Sequence, residues 1–293
     1  MAIAIRVLML QLIAVSVICC TDSLGGRKIQ SYDLRFELAT SPNTKSQEGS
    51  ELPAVWAFES KTGEPVIESM PLQYDAGLWR PAEPYSWKEN YPLDFYAASP
   101  LGYASFDREK GICFDSYDTA MDYDLLYTEP VLNREAEQTM GFVSLTFKRP
   151  LSLLRIYLKQ ELQSSSGILI KKLTLDGLRH KGSFISLPQP LWTLEGEAKP
   201  YELWNGKLES PANQVDLCES YVLPQSVQLD FTLLCDVWTG VSSLQDQELS
   251  GSVYLKMSPG KLYELYLTVT EFLTLKVEKN SLWNIDYTKY HCS

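Results

Sequence analysis

The chain is poor in the residues on which most enzymes and metal sites depend. Only two histidines, His180 and His291, occur in 293 residues. A histidine-based metal cluster or a Ser-His-Asp triad has almost nothing to draw on. No Cys-x-x-Cys pair exists, so zinc-type spacing is absent as well. Positive charge is in deficit: 26 Lys and Arg against 37 Asp and Glu leave a net charge of −11. Nucleic acid is therefore not an expected partner, because phosphate binding needs a basic face. After the first 19 residues there is no further long apolar run, so no later segment reads as a membrane-spanning helix.

Apolar and turn-forming residues are abundant. Hydrophobic residues make up 45% and charged residues 22%, ordinary globular usage that rules out disorder for most of the chain. Aromatics reach 12%, with 17 Tyr, beside 16 Gly and 16 Pro. That balance favours strands and turns over helices.

Residues 1–19 read as a signal peptide. Arg6 precedes an apolar run from Val7 to Ile18, too short to span a bilayer. The run ends at Cys19-Cys20, and Val17-Ile18-Cys19-Cys20 resembles a bacterial lipobox. Cys20 is the better candidate for lipidation, which would make it the mature N-terminus. An ordinary secretory signal with two incidental cysteines is the alternative. Export is expected either way. Past the signal stand Cys113, Cys218, Cys235 and Cys292. An oxidising compartment permits a Cys218–Cys235 disulfide. Cys235 is nevertheless in register with Val227, Leu229, Phe231 and Leu233, which suggests a buried apolar filler.

Strand patterns fill the rest. Leu34, Phe36 and Leu38 alternate with Asp33, Arg35 and Glu37, and Val143, Leu145 and Phe147 alternate with Ser144, Thr146 and Lys148. Beyond Pro150 the apolar parity changes to Leu154, Ile156 and Leu158, which predicts an edge bulge or kink. A second parity change falls at Lys171-Lys172. Val227 to Val237 alternates over eleven residues. Val253, Leu255 and Met257 lead through Ser258-Pro259-Gly260-Lys261 to Tyr263, Leu265, Leu267 and Val269, which reads as a hairpin with a type II turn. Leu273, Leu275 and Val277 form a last strand candidate. The polar stretch 133–139 marks the domain boundary, giving 20–138 and 139–293 after the signal peptide. Many short strands with Gly and Pro punctuation predict an all-β chain of one or two sandwiches.

Catalytic signals are weak, and no enzyme and no cofactor are expected. Asp115, Asp118, Asp122 and Asp124 cluster, but without calcium-loop spacing. Trp79, Trp87, Trp192 and Trp204 could stack on a sugar, although such residues more often fill sandwich cores.

Five segments in order resemble the fimbrillin-like family of type V pilus subunits and related surface lipoproteins. They are Trp79 through Pro84-Tyr85-Ser86-Trp87 to the stretch Tyr91–Pro100 (YPLDFYAASP); Asp124–Tyr127 (DLLY); Val143–Ile156; Leu173–Leu178 with Gly182-Ser183-Phe184; and Met257–Tyr263 (MSPGKLY). Arg149-Pro150 stands where the family has His-Ala, and Met257 where it often has Trp. The resemblance implies two transthyretin-like antiparallel β-sandwich domains in tandem, in a shaft, tip or anchor subunit of a surface fimbria. It implies export as a lipoprotein to the outer membrane and assembly with other fimbrial subunits by donor-strand exchange, after an Arg-specific protease opens a groove. On this chain the cleavage candidates are Arg27 and Arg35, and the donor candidate is Leu273, Leu275 and Val277. The alternative is a lipid-anchored surface module that binds a glycan or host ligand without polymerising.

Overall fold

A computed structural model describes residues 29–39, 52–162, 166–209, 214–238 and 241–280. The expected signal peptide, Cys20 and Arg27 lie outside them. The first half contains β1 (Ser31–Asp33), β2 (Arg35–Ala39), β3 (Ala54–Glu59), β4 (Pro65–Asp75), β5 (Leu78–Pro81), β6 (Ser86–Lys88), β7 (Leu93–Ser99), β8 (Ala104–Asp107), β9 (Gly111–Asp118), β10 (Leu126–Thr128) and β11 (Val131–Arg134). A short helix α1 (Ala136–Thr139) leads to β12 (Phe142–Lys148). The second half contains β13 (Ser152–Gln160), β14 (Gly167–Asp176), β15 (Lys181–Ile185), β16 (Leu191–Glu195), β17 (Tyr201–Glu209), β18 (Val215–Val222), β19 (Ser226–Trp238), β20 (Ser243–Lys256), β21 (Leu262–Val269) and β22 (Leu275–Asn280).

The expectation of an all-β chain holds. In the first half the strands run in the order β10-β12-β2-β5-β4-β3-β7, and β7 pairs back onto β10, so the sheet closes on itself. Its interior holds Phe36, Val55, Leu72, Trp79, Phe95, Leu145 and Phe147. The outward residues Ala54, Trp56 and Ala98 lie under a four-stranded sheet of order β16-β15-β9-β8. Strands β3 and β7 are thus covered on both faces. That is why LPAVWAF reads as an unbroken apolar run instead of an alternating one. In the second half, sheets β18-β13-β21-β22 and β17-β14-β19-β20 face each other across a core that includes Leu154, Ile156, Ile170, Leu229, Phe231 and Leu267.

Several local expectations meet a different outcome. Strand β12 follows the expected boundary near 138, yet it pairs with β2 and β10 of the first half. The sheet β16-β15-β9-β8 takes two strands from each half, with Gly182 opposite Tyr117 and Phe184 opposite Phe114. Pro150 marks no edge bulge: β12 and β13 are both interior strands, and the proline sits where the chain leaves one sheet for another. Parity changes there because the buried side changes. The parity change at Lys171-Lys172 is a true bulge, since β14 shifts register against both of its neighbours there. The expected hairpin around Pro259-Gly260 does not form. The turn is made, with Gly260 at φ +66, but β20 joins one sheet and β21 the other, where β21 pairs in parallel with β13. Turn chemistry fixes a local reversal and leaves open which strands then pair.

Candidate functional site

The segment 31–39 carries two strands: β1 forms a two-stranded sheet with β6, and β2 lies in the closed sheet between β12 and β5. β1 pairs antiparallel with β6, and β2 pairs in parallel with β12, from Arg35 opposite Phe142 to Ala39 opposite Thr146. Against β5 the pairing is one residue long, Phe36 opposite Trp79. Between the two strands, the Leu34 N–H donates to the Tyr85 carbonyl at 3.0 Å, and the Arg35 N–H to the Gly141 carbonyl at 2.9 Å. The alternation seen in sequence places Leu34 and Phe36 in the core and leaves Leu38 half-buried. The Phe36 ring meets Phe95 edge-on at 5.9 Å, and Phe95 in turn meets Trp87 at 5.4 Å. Fully burying two such side chains contributes about 3–6 kcal/mol by apolar area alone.

Arg35 sits within this strand. Its guanidinium lies 5.3 Å from the centre of the Phe142 ring, and its Nη2 is 3.7 Å from Asp33. Its Nε is buried without a hydrogen-bond partner. The Arg35–Phe36 bond therefore lies inside a paired strand, with a fully buried residue immediately after it. Gly141, which sequence reading did not single out, seats this strand. Its φ is +81, and a Cβ there would stand 2.3 Å from the Asp33 carbonyl oxygen. No side chain fits at that approach. The only sequence signal is a glycine just after α1.

Removing residues 31–39 would bare one edge of β12 and the rings of Phe95 and Trp87. A row of unpaired backbone groups beside an apolar trough is a template for another strand.

The three donor candidates are in different settings. Leu275 and Val277 lie on β22, paired with β21, and face their own core. Leu273 is in the preceding turn at φ +55, outside the strand. The acidic cluster is dispersed among local tasks. Asp124 binds Arg149 through Nε at 2.9 Å and Nη2 at 2.7 Å, and Asp118 accepts from the Ala120 N–H at 3.0 Å. Asp115 accepts from the Ser105 hydroxyl at 3.2 Å. Burial pushes the Asp122 carboxyl up. Among the described residues no group of His, Cys, Asp and Glu is arranged to hold a metal. Trp79 and Trp87 are core residues. Trp192 packs on Phe184 at 5.4 Å and donates from its indole to the Pro150 carbonyl at 2.8 Å, and Trp204 lies against the second core. The four indoles form no shared platform. Cys113, Cys218 and Cys235 are free thiols, and Cys235 is fully buried, as its register suggests.

These features define a layered β-sandwich protein whose N-terminal segment is clamped by β6 at β1 and by β12 and β5 at β2. The chain belongs to the fimbrillin-like family, whose model matches residues 40–283. No curated protein matches it. Among solved structures it is similar to a fimbrial protein from Bacteroides vulgatus, with 16% identity and a TM-score of 0.61, covering 86% of this chain and 99% of that one. It is also similar to a candidate cell adhesion protein from Bacteroides uniformis, with 15% identity and a TM-score of 0.58, covering 86% and 98%. At such identity the likeness is one of fold.

Proposed function

We propose that this chain is a structural subunit of a bacterial surface fimbria, exported as a lipoprotein through Cys20, held at the outer membrane and joined to other subunits by strand exchange. Family membership supports the fimbrial role. The observation that carries the strand-exchange reading is β2: apolar on one face, parallel to β12, and meeting β5 at one residue pair. Each half then corresponds to one transthyretin-like unit, with no catalytic role for either. Processing at Arg27 would trim the leader and leave residues 31–39 in place. Processing at Arg35 would remove β1 and Leu34. Immunogold electron microscopy of intact cells tests the reading, with labelled fibres as the expected result. Even labelling of the cell surface, with no fibres, would sink it.

One observation favours the second reading, a lipid-anchored module that binds a glycan or host ligand. Trp238 is 40% exposed, Val241 98% and Phe272 80%. Trp238 ends β19, Val241 stands just before β20 and Phe272 lies in the turn before β22, at the end of the second sandwich where β14 begins opposite Trp238 and β13 and β21 end together at Gln160 and Val269. Retention on immobilised host glycans that is lost in Trp238→Ala with Phe272→Ala would support that module.

A further inference from the structure

Strand β17 carries the only Asn-Gly pair in the chain, Asn205-Gly206. Both residues are exposed, and β17 is an edge strand, paired with β14 alone among the described strands. The ladder between the two strands slips on either side of Asn205. Toward one end, Gly206 and Lys207 together face Lys171; toward the other, Leu203 is the extra residue between the pairs Leu173–Trp204 and Thr174–Glu202. Such bulges take the backbone out of regular strand geometry and leave the extra residue unpaired. A glycine after asparagine also leaves its backbone nitrogen unshielded by any side chain. In this setting that nitrogen can approach the side-chain carbonyl carbon of Asn205.

An amine stands directly across the ladder. Lys172 is the register partner of Asn205, so the two side chains share one face. One carboxylate holds both. Glu202 Oε2 lies 2.6 Å from Lys172 Nζ, and Glu202 Oε1 accepts from Asn205 Nδ2 at 3.0 Å. The hydrogen bond from Lys172 holds the Glu202 carboxyl below its ordinary value, so it is ionised and accepts the proton that the ammonium must shed. A well-oriented intramolecular nucleophile competes at an effective molarity of roughly 10⁵ M or more, well above that of bulk water. Cys218 and Cys235 are free thiols, so no disulfide ties the described strands of the second sandwich together.

We propose that Lys172 and Asn205 become joined by an isopeptide bond, which fastens the edge strand β17 to β14. The Gly206 nitrogen first attacks Asn205 Cγ. The Cγ–Nδ2 bond breaks, and ammonia leaves with the proton shed by Gly206, giving a cyclic imide. Lys172 Nζ, having passed one proton to Glu202 and so to the released ammonia, then attacks the same carbon. The imide bond from Cγ to the Gly206 nitrogen breaks, and that nitrogen takes a second proton from Nζ. One side-chain amide and one ammonium thus become a new amide and an ammonium ion, with no oxidant and no cofactor. The bond concerns the second sandwich alone and stands or falls apart from the strand-exchange reading.

The test incubates the folded full chain in mildly alkaline buffer, follows intact mass and then maps tryptic peptides. The expected result is the loss of one ammonia and a branched peptide that joins the segments holding Lys172 and Asn205. Lys172→Arg keeps a cation beside Glu202 but offers no amine. In that variant the branched peptide should vanish, and the mass should rise slightly as water opens the imide. An unchanged wild-type mass would overturn the inference. So would the small mass gain of amide hydrolysis in the wild type with no branched peptide, or an ammonia loss that persists in Lys172→Arg, which marks the imide itself.

Discussion

Cys218 and Cys235 show how burial sets the chemistry of a single side chain. Burial raises the Cys235 thiol to about 11 and the Cys218 thiol to about 12, against an ordinary value of 9.0. The phenol of Tyr127 is raised to about 12 by the same cause. Each group prefers its protonated form when folded. Its contribution is fully present below the unfolded value and is lost as pH rises toward the folded one. The melting temperature should therefore fall as pH climbs from 9 to 12. A flat melting profile over that window would place these groups in solvent. At pH 8 a thiol reagent should label the three described cysteines far more slowly in the native protein than in denaturant. Phe231 makes the packing case. It is 1% exposed on β19, as its alternation predicts, and Phe231→Ala should cost about 3–5 kcal/mol. Denaturant titration measures this, and a loss below about 1 kcal/mol would contradict the packing.

Two elements give predictions of their own. Gly141 combines positive φ with a backbone contact that no Cβ can share, so Gly141→Val should loosen residues 31–39 while the second sandwich holds. Hydrogen exchange should then speed up by tenfold or more at β2 and remain unchanged at β19. Unaltered exchange at β2 would mean that Gly141 does not seat the strand. At the other end, Leu275 is 6% exposed and faces its own core from β22. Leu275→Asp places a carboxylate there and should cost at least about 3 kcal/mol. A variant that melts like wild type would show β22 to be dispensable to the monomer, as an exchangeable donor strand would be.

At the scale of the molecule, the layered sheet decides cooperativity. β8 and β9 precede residue 138 and β15 and β16 follow it, yet they form one sheet over the outer face of β3 and β7. Phe114 and Phe184 meet across it at 5.7 Å, and Asp124 of the first half grips Arg149 at the start of the second. Neither half can unfold without stripping the other of two strands. Calorimetry should show one transition, and Phe184→Ala should lower it as a whole by several degrees. Two separate peaks would mean that the shared sheet couples the halves only weakly.

The chain's alternation fixed which residues face inward on β2, β12 and β19, because side chains on a strand change sides at every step whatever the partner. It also located the bulge at Lys171-Lys172 and the turn at Pro259-Gly260, since both are short-range backbone events. The expected lipidation site Cys20 and the cleavage candidate Arg27 are expectations of the sequence alone, lying outside the described residues. Pairing required the tertiary structure. That β12 joins the first half, that β20 and β21 part company, and that four strands from two halves share a sheet depend on contacts between residues far apart in the chain. Local pattern sets a strand's buried face and leaves its neighbours undetermined. The fit of Gly141 against Asp33, and the burial of Phe36 beside Arg35, likewise exist only once those distant strands meet.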